Sequence, residues 1–429
     1  MKNLNIISII AICFLSSGCL ESDDETITPS ERINQNINSD QTGDSEPLTA
    51  EECTNEDNDI AIQTVADDYS SSSIAIGCST GLITEGYNEE LASDYTVSAG
   101  SNSFYHVGRS YIDTISKIDF LTPSNSSWLF STIDAEESTS NPYKLVEISE
   151  NKAYLIRYNT SSVWIVDPSA TSQEQFKIGE LDLSAYLVSS EIETESGNET
   201  VTATATDMSD AISVDGKLYI AMQRLRNGQS KQGQYGEYDV RNYANDSIVA
   251  VFDVSTDTEI DTSPSDSENL NGIILNGHNV QSLAYQGNTL YAASRGNYYD
   301  DFGTLDAINL TNYEVSTVIS GDENQGAISD VTITTDGNVF VMFDKSGYDD
   351  NGEYTYLHNV AKLDGSSIES SIFTSYIHLT DIEADPNGFL WISSAVSSYP
   401  GILKIDPNNY ARNLFLTTTL NPSKIVFAK

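Results

Sequence analysis

Ile248-Val249-Ala250-Val251-Phe252-Asp253 is a short apolar strand that ends in Asp, and strands of this kind return along the chain. The further copies are Ile112–Asp119, Val163–Asp167, Asn359–Asp364, Gly401–Asp406 and, with Asn in the Asp position, Thr304–Asn309. We therefore interpret these segments as six repeated units, each closing on such a strand. A spacing of about 40–50 residues with insertions is typical of repeats built from one small sheet. No long segment has the apolar periodicity of a helix.

Each unit also begins with a hairpin whose turn is marked by Gly, Asn or Asp. The clearest turns are Val214–Lys217, Tyr285–Asn288, Thr335–Asn338 and Asp385–Gly388. Gly and Asn adopt positive φ at little cost, so they favour tight β-turns. Strand, turn, strand, longer loop, strand, strand is the order of a β-propeller blade. The sequence therefore predicts an all-β fold, a β-propeller of four-stranded blades.

The two ends of the repeat region predict how the ring closes. Asn421–Phe427 has the pattern of a first strand, while Ile60–Val65 and Ser73–Gly77 have the pattern of later strands. We expect these N- and C-terminal strands to pair in a seventh blade, which leaves no exposed sheet edge. The alternative is a six-bladed ring with an additional N-terminal hairpin. In either case the propeller domain is predicted to cover residues 60–429.

Residues 1–19, MKNLNIISIIAICFLSSGC, combine Lys2, an apolar run that is too short to span a bilayer, and small residues before Cys19. This pattern resembles a bacterial lipoprotein signal. The resemblance implies that residues 1–18 are a signal peptide and that Cys19 carries the lipid. Leu20 stands where an inner-membrane signal has Asp, so we expect an outer-membrane anchor that faces the periplasm or the outside. A plain cleaved signal peptide is the alternative.

Residues 20–59 contain 13 acidic residues against a single base, Arg32. Such a segment cannot bury enough apolar surface to order itself. Residues 19–59 are therefore predicted to be the lipidated cysteine and a disordered, acidic tether. Cys13 leaves with the signal and Cys19 takes the lipid, so Cys53 and Cys78 remain. In an oxidising compartment they are expected to form one disulfide.

The chain has 64 acidic and 20 basic residues and a formal charge of −44. Nucleic-acid binding requires clustered Lys and Arg to neutralise phosphates. Nucleic acid is therefore excluded as a partner of the molecule as a whole.

A family resemblance covers most of residues 60–429. Asn141–Leu145, Lys152–Tyr158, Ser162–Pro168, Glu180–Tyr186 and Gly216–Leu225 resemble the YVTN-type, seven-bladed β-propeller proteins found among bacterial lipoproteins, within the quinoprotein dehydrogenase-like propeller superfamily. The resemblance implies a fold. That family has no single chemistry, and propellers serve for binding, scaffolding and catalysis alike.

One pattern in the repeats bears on function. The second strand of five successive units ends in a cation: Arg109, Arg157, Arg224, Arg295 and Lys345. In a propeller these strand ends and the starts of the first strands share a face around the central opening, and Asp94, Asp210, Asp330 and Asp381 stand at or next to first-strand starts. Converging cations favour a site for an anionic group. The alternative is that each cation pairs with a neighbouring Asp and locks adjacent blades.

The other candidate residues lie in loops on the same face. His278 stands at a first-strand start and is predicted to reach the central opening. Tyr-rich loops there have a composition typical of recognition surfaces. Their acidic pieces, which contain Asp300, Asp301, Asp349 and Asp350, are weak candidates for a Ca²⁺ site, against solvated loops as the alternative.

Signals for catalysis are few. The four histidines have no paired metal spacing, and the sequence contains no nucleophile elbow, Walker loop or Cys–His arrangement. We therefore expect a monomeric, lipid-anchored propeller that binds a protein or a small anionic or carbohydrate ligand, without a cofactor and without chemistry of its own. The alternative function is a hydrolase or lyase with a metal at the central opening.

Overall fold

A computed structural model describes residues 58–429 except 80, 195–196, 234–235, 242, 263–269, 298–300, 349–350, 373–376 and 397. Most of these residues belong to seven antiparallel sheets, the blades, which follow one another around a ring. The innermost (first) strands of blades 1 to 7 are β4 (Tyr95–Ala99), β8 (Pro142–Ser149), β14 (Met208–Val214), β21 (Val280–Gln286), β25 (Ala327–Ile333), β31 (Leu379–Ala384) and β35 (Asn421–Phe427). Each first strand contacts the first strands of both neighbouring blades, and β35 contacts β4, so the ring is closed.

Three further strands complete each blade. The second strands are β5 (Ser103–Gly108), β9 (Lys152–Arg157), β15 (Lys217–Met222), β22 (Thr289–Ser294), β26 (Val339–Asp344), β32 (Leu390–Ser394) and β1 (Ile60–Val65). The third strands are β6 (Thr114–Asp119), β10 (Ser162–Val166), β18 (Asp246–Asp253), β23 (Thr304–Asn309), β29 (His358–Asp364), β33 (Gly401–Ile405) and β2 (Ser72–Gly77). The fourth strands are β7 (Ser126–Ser131), β11 (Lys177–Asp182), β19 (Thr258–Glu259), β24 (Val315–Ser320), β30 (Ser367–Ser371), β34 (Arg412–Thr417) and β3 (Ile83–Glu90).

A few elements lie outside this scheme. Blade 3 has a fifth strand, β20 (Ile273–His278), which pairs with β18 as β19 does. Three hairpins are inserted between blade strands: β12–β13 (Ser189–Thr194 and Gly197–Thr202), β16–β17 (Arg226–Gly233 and Gly236–Arg241) and β27–β28 (Gly347–Tyr348 and Tyr354–Thr355). A short helix, α1 (Gln173–Phe176), and a single 3₁₀ turn (Ser184–Tyr186) follow the third and fourth strands of blade 2. No helix in the described part of the chain has the length and apolar character needed to cross a membrane.

The seventh blade confirms the predicted closure. Its first strand is β35 from the C-terminal end, and its other three strands, β1, β2 and β3, come from the N-terminal end. β1 pairs with β35 in an antiparallel ladder from Ile60↔Phe427 to Val65↔Asn421. The six-bladed alternative is therefore wrong. Pairing the two ends removes the free edges that a separate first strand and a separate N-terminal hairpin would leave.

The core explains why so many strands are apolar on both faces. The buried apolar residues form seven clusters, one between each pair of neighbouring blades. In β9, Ala153 and Leu155 pack towards blade 1, while Tyr154 and Ile156 pack towards blade 3. Alternate side chains of a strand point to opposite faces of its sheet, so a strand that lies between two neighbours must be apolar throughout.

The Asp-ending strand was predicted to close each unit. In the structure it is the third strand of its blade, and a fourth strand follows it. Oδ1 of Asp119 accepts a hydrogen bond from the N–H of Leu121, and Oδ1 of Asp253 accepts one from the N–H of Ser255, both at 2.8 Å. Asp167, Asn309 and Asp406 make the same bond two residues on. Asp and Asn favour such turns because their side chains replace a backbone acceptor. The repeated Asp therefore shapes the turn into the fourth strand.

The predicted hairpin turns join first and second strands in blades 3 to 6. Asp215 and Gly216 have φ of 49° and 74°, which is the conformation of a type I′ turn. The Asp-Gly dipeptide was therefore a correct turn signal.

Candidate binding face

The first strands begin, and the second strands end, on one face of the ring. The N–H of Arg109, after β5, donates to the carbonyl of Asp94, before β4 (2.9 Å), and the N–H of Arg295, after β22, donates to the carbonyl of Asn279, before β21 (3.0 Å). We call this side the top face. The sequence-based expectation that these two sets of strand ends meet is confirmed.

All three inserted hairpins leave from the top face. β16–β17 and β27–β28 each connect a second strand to a third strand, and β12–β13 lies between the fourth strand of blade 2 and the first strand of blade 3. Strand direction alternates in an antiparallel sheet, so each of these connections starts and ends on the top face. β13 and β16 also contact each other. The largest additions to the repeat are thus collected on one side of the ring.

Arg109 and Arg157 both form ion pairs. Nη2 of Arg109 lies 2.5 Å from Oδ1 of Asp94, and the guanidinium also lies over the ring of Tyr143. Arg157 is fully buried. It pairs with Glu137, and its Nε donates to the carbonyl of Thr132 (3.2 Å). Burial lowers the pKa of Arg157, against the opposing effect of Glu137.

The other three predicted cations have different partners. Arg224 is buried, and its Nε donates to the carbonyl of Tyr186 (3.0 Å). Arg295 pairs with Asp344 at the end of β26, which joins blade 4 to blade 5. The Nζ of Lys345, an exposed residue, donates to the carbonyl of Asn324 (3.3 Å).

The interactions in the described residues agree in part with the alternative in which cations lock neighbouring elements. Arg109, Arg157 and Arg295 pair with acids, but only Asp94 among these partners was predicted. Asp210, Asp330 and Asp381 have other roles. Binding of an anionic group by the five cations stays a prediction, and Arg109, Arg295 and Lys345 are the members whose side chains reach solvent.

A belt of polar side chains, which we call the central girdle, links the first strands around the axis. It takes one residue from each first strand: Ser98, Lys144, Asp210, Ser282, Asp330, Asp381 and Lys424. The predicted residues Asp210, Asp330 and Asp381 belong to it. They lie within the first strands, and Asp94 precedes β4.

The Ser and Asp residues of the girdle accept hydrogen bonds from the next blade. Oγ of Ser98 accepts from the N–H of Leu145 (3.0 Å), and Oγ of Ser282 accepts from the N–H of Val331 (3.1 Å). The three Asp residues accept in the same way from the N–H groups of Leu283 (2.8 Å), Ile382 (3.4 Å) and Ile425 (2.8 Å). Each bond satisfies a main-chain donor that faces the neighbouring blade.

Two lysines complete the girdle with ion pairs. Nζ of Lys144 lies 2.6 Å from Oδ1 of Asp210, and Nζ of Lys424 lies 2.6 Å from Oδ1 of Asp381. With these pairs, the girdle joins six of the seven neighbouring pairs of first strands. Asp210 and Asp381 each use one oxygen for a lysine and the other for a main-chain N–H.

A β-bulge stands directly before the girdle residue in six of the seven first strands. The ladder skips one residue there: Tyr143, Ser209, Gln281, Ser329, Thr380 or Ser423. A bulge adds one residue and re-aims the side chain that follows. The tripeptides Ser329-Asp330-Val331 and Thr380-Asp381-Ile382 show the resulting sequence signal. Their Asp residues were predicted from the sequence, whereas the repeat of the tripeptide and the role of the two lysines were not.

The charged groups of the girdle change one another's pKa values. Burial raises the pKa of Asp381 to about 7, with Asp330 and Glu383 adding to the rise and Lys424 opposing it. Burial also raises the pKa values of Asp330 and Glu383. Burial alone would lower the pKa of Lys424, but the attraction of the three carboxyl groups is the larger effect, so the pKa of Lys424 is raised. About a third of the side-chain surface of Lys424 and of Glu383 is exposed to solvent, and both residues lie on first strands of the ring.

His278 is the last residue of β20 and lies two residues before the first strand β21. It also pairs with Asp246 at the start of the third strand β18. His278 therefore adjoins a first-strand start, and its reach to the central opening stays a prediction. Its Nδ1 lies 3.2 Å from Oδ2 of Asp301. Sequence reasoning missed β20, because a fifth strand in blade 3 breaks the repeat.

A row of aromatic side chains, the tyrosine ladder (Tyr348, Tyr354 and Tyr356), runs from the β27–β28 hairpin towards blade 6. The rings of Tyr348 and Tyr354 meet edge to face with centroids 5.1 Å apart, and those of Tyr354 and Tyr356 meet in the same way at 5.3 Å. The inner end is fixed, because Tyr356 stacks on His378 at 3.9 Å. Burial lowers the pKa of His378 to about 4, so this support is uncharged at neutral pH.

The girdle does not fit a metal ion. Its carboxylates already accept bonds from two lysines and from main-chain N–H groups, which leaves no open set of oxygen ligands. Within the described ranges, no three or more His, Cys, Asp or Glu side chains form a group that could hold a metal. Of the predicted Ca²⁺ candidates, Asp301 contacts His278, and Asp300, Asp349 and Asp350 lie outside the described residues, so that prediction stays untested.

Other sequence predictions fall on undescribed parts of the chain. The signal peptide, Cys19 and almost all of the tether lie outside the described residues. Cys78 is buried just after β2, whereas Cys53 lies outside the described residues, so the disulfide stays a prediction.

Similar proteins were found among solved structures only. No protein-family model matches the chain, and no curated protein matches it. A candidate 6-phosphogluconolactonase from Bacteroides uniformis is 12% identical, with a TM-score of 0.53 over 86% of this chain and 99% of its own. The periplasmic gluconolactonase of Pseudomonas aeruginosa is 9% identical, with a TM-score of 0.50 over 86% of this chain and 98% of its own.

These similarities place the chain among the seven-bladed β-propellers. At such low identity they show the fold alone. The particular function must be argued from the residues of this chain.

Proposed function

We propose that this chain is a lipid-anchored envelope protein that binds a ligand or a partner protein through its top face. The observation that carries the proposal is the placement of all three inserted hairpins on that face. Loops on a rigid scaffold are the usual place for recognition residues. The closed ring and its girdle provide such a scaffold, and the exposed tyrosines of the β27–β28 hairpin provide a recognition composition.

The anchor is supported by the sequence pattern at Gly18-Cys19 and by the acidic residues that separate it from the ring. A charged, extended tether would hold the propeller away from the membrane surface. The bound molecule would then reach the top face from the envelope space.

The experiment compares two variants of the full chain. In the first, residues 348–354 are replaced by Asn-Gly, which shortens the β27–β28 hairpin. In the second, the matched control, Leu121 and Tyr285 on the opposite face are changed to Ser. Ligands and proteins retained from an envelope extract should be lost with the first variant and kept with the second. Equal retention by both variants would overturn the proposal.

One observation favours the alternative function, a hydrolase or lyase. Burial raises the pKa of Asp381, and its carboxyl lies 2.6 Å from Nζ of the partly exposed Lys424 on the inner strands, a pairing of acid and base that suits general acid–base catalysis. Since two structural neighbours are described as lactonases, sugar lactones are the substrates to test. Activity that is lost in Asp381→Asn, or a stoichiometric transition metal found by elemental analysis, would favour the enzyme over the binding protein.

A further inference from the structure

The tyrosine ladder has a geometry that is specific for one kind of ligand. Neighbouring rings stand nearly at right angles, with interplanar angles of 81° and 76°. In such a corner the edge of one ring meets the face of the next. A cation about 4 Å above one face can lie within about 6 Å of both centroids, the range of cation–π attraction. The ladder contains two such corners, and Tyr354 belongs to both.

The three tyrosines are exposed to solvent. Tyr348 is 78% exposed, Tyr354 is 52% exposed and Tyr356 is 38% exposed. Exposed aromatic rings usually lie singly on a surface. Here three adjoin, and the stack of Tyr356 on His378 fixes the innermost ring to the body of the propeller. The corners are therefore formed before a ligand arrives, which reduces the cost of binding.

The charges around the ladder favour a cation. His378 and His358 are neutral at neutral pH, because burial lowers the pKa of each to about 4. The charge of Arg295 is balanced by Asp344, and exposed Lys345, three residues before Tyr348, is the cation that opposes binding. Glu353 is an exposed residue beside Tyr354, and the chain as a whole carries −44. A negative protein attracts cations and repels anions over several ångströms.

We infer that the tyrosine ladder binds an organic cation of the quaternary ammonium type. Such a cation is attracted by tyrosine ring faces, and its methyl groups contact them without losing strong hydrogen bonds to water. This inference rests on the proposed function, since it names the ligand class of the top face. A primary amine or a metal ion would have to give up more hydration for the same contacts.

The experiment measures binding to the full-length protein by calorimetry and by saturation-transfer NMR. Tetramethylammonium is the minimal probe, choline is the second probe, and 3,3-dimethylbutan-1-ol is the uncharged control with the same shape as choline. Both cations should bind, the alcohol should bind at least tenfold more weakly, and the affinity should fall as salt is raised. Equal binding of choline and the alcohol would overturn the inference.

Variants locate the site. Tyr354→Leu removes the ring shared by both corners and should weaken binding roughly tenfold, whereas Tyr354→Phe keeps the ring and should change it little. Tyr285→Leu, at an exposed tyrosine on the opposite face, is the matched control and should bind as the parent does. Unfolding curves show that the variants are folded. Equal binding by Tyr354→Leu and the parent would also overturn the inference.

The two proposals can fail separately. If neither cation binds but retention from an envelope extract still depends on the β27–β28 hairpin, the quaternary ammonium inference is wrong and top-face binding stands. If an oligo-lysine peptide binds and tetramethylammonium does not, the top face recognises a basic protein segment, and the small-cation inference is again wrong.

Discussion

Nζ of Lys424 in β35 lies 2.6 Å from Oδ1 of Asp381 in β31. The two residues belong to neighbouring first strands, and β35 is the only strand that the C-terminal end contributes to blade 7. The ion pair therefore holds the closing strand to blade 6, while the N–H of Ile425 donates to the other Asp381 oxygen. Closure thus combines a ladder on one side of β35 with a buried charge pair on the other.

Replacing Lys424 by Met should destabilise the ring. It leaves the buried carboxyl of Asp381 without its cation, and we expect a loss of about 3 kcal/mol at neutral pH, the lower end for a broken buried pair because Lys424 keeps some exposure. The measurement is denaturant unfolding. Lys345→Met removes a lysine bonded to a main-chain carbonyl and should cost much less.

The pH dependence of this loss has a defined sign. Burial raises the pKa of Asp381, and Lys424 opposes that rise, so removing Lys424 raises this pKa further. The charged carboxylate then disfavours the fold of the variant more than that of the parent, and this difference disappears as pH falls towards the unfolded value near 4. The deficit of Lys424→Met should therefore shrink on acidification, and adding Asp381→Asn should restore stability at neutral pH. A deficit that is constant with pH would contradict the charge-pair explanation.

The buried guanidinium of Arg157 should matter for stability, whatever its role in binding. Arg157→Met removes bonds to Glu137 and to the carbonyl of Thr132, so the melting temperature should fall with no anion present. Arg109→Met removes a partly exposed pair and should cost at most about 1 kcal/mol. An unchanged melting temperature for Arg157→Met would contradict the structural role.

The anion hypothesis is decided in the same experiment. Sulfate should raise the melting temperature of the parent if the cations form a binding site, and that rise should fade in Arg109→Met and in Lys345→Met. If sulfate acts equally on parent and variants, the five cations are a structural network.

The sequence predicted the ring more completely than its centre. The blades follow from short-range signals, namely turn residues such as Asp215-Gly216 and the Asp or Asn at the end of six of the seven third strands. The shared seventh blade was also predictable, because unpaired strands at the two ends of the repeat region lose their free edges only when they pair with each other. These signals depend on residues that are close in sequence.

The girdle could not be predicted in the same way. Lys144 and Asp210 are 66 residues apart, and their meeting depends on bulges that shift the ladder by one residue. Arg295 and Asp344 are likewise distant in sequence, and they pair across two blades. The ladder of Tyr348, Tyr354 and Tyr356 has no sequence signal beyond its tyrosines, since its ring angles depend on a hairpin register.

His106 should make the stability of the protein depend on pH. It is 4% exposed and stacks on Tyr95, and burial lowers its pKa from 6.5 to about 4. The unfolded chain therefore binds a proton that the folded chain does not, so stability is complete above pH 6.5 and falls as pH drops towards 4. The loss is up to ~3 kcal/mol.

His106→Phe isolates this effect, because the other buried histidines stay in both proteins. The variant should gain stability relative to the parent as pH falls from 6.5 to 4, as measured by unfolding free energies at several pH values. Parallel curves for parent and variant would show that His106 keeps an ordinary pKa.

The predicted disulfide between Cys53 and Cys78 can be checked on freshly isolated protein. Denatured mature protein should show no titratable thiol, and reduction should lower the melting temperature, since the loop closed by the bond contributes about 3 kcal/mol in the chain-entropy model. Cys78→Ala alone should have the same effect as reduction. Two titratable thiols in untreated protein would show that Cys53 and Cys78 do not form a disulfide.

The anchor rests on the junction Gly18-Cys19 and on no described residue, so it needs a test independent of the fold. Cys19→Ser removes the thiol that a lipid requires, and we expect the chain to stay unprocessed or to be released in soluble form. The measurement is fractionation of envelope membranes, with mass spectrometry of the mature N-terminus. Cys13→Ser is the matched control, because it changes a cysteine within the signal and should leave the anchor unchanged. If Cys19→Ser protein is still processed and still fractionates with the outer membrane, the lipoprotein interpretation is wrong, and the plain signal peptide takes its place.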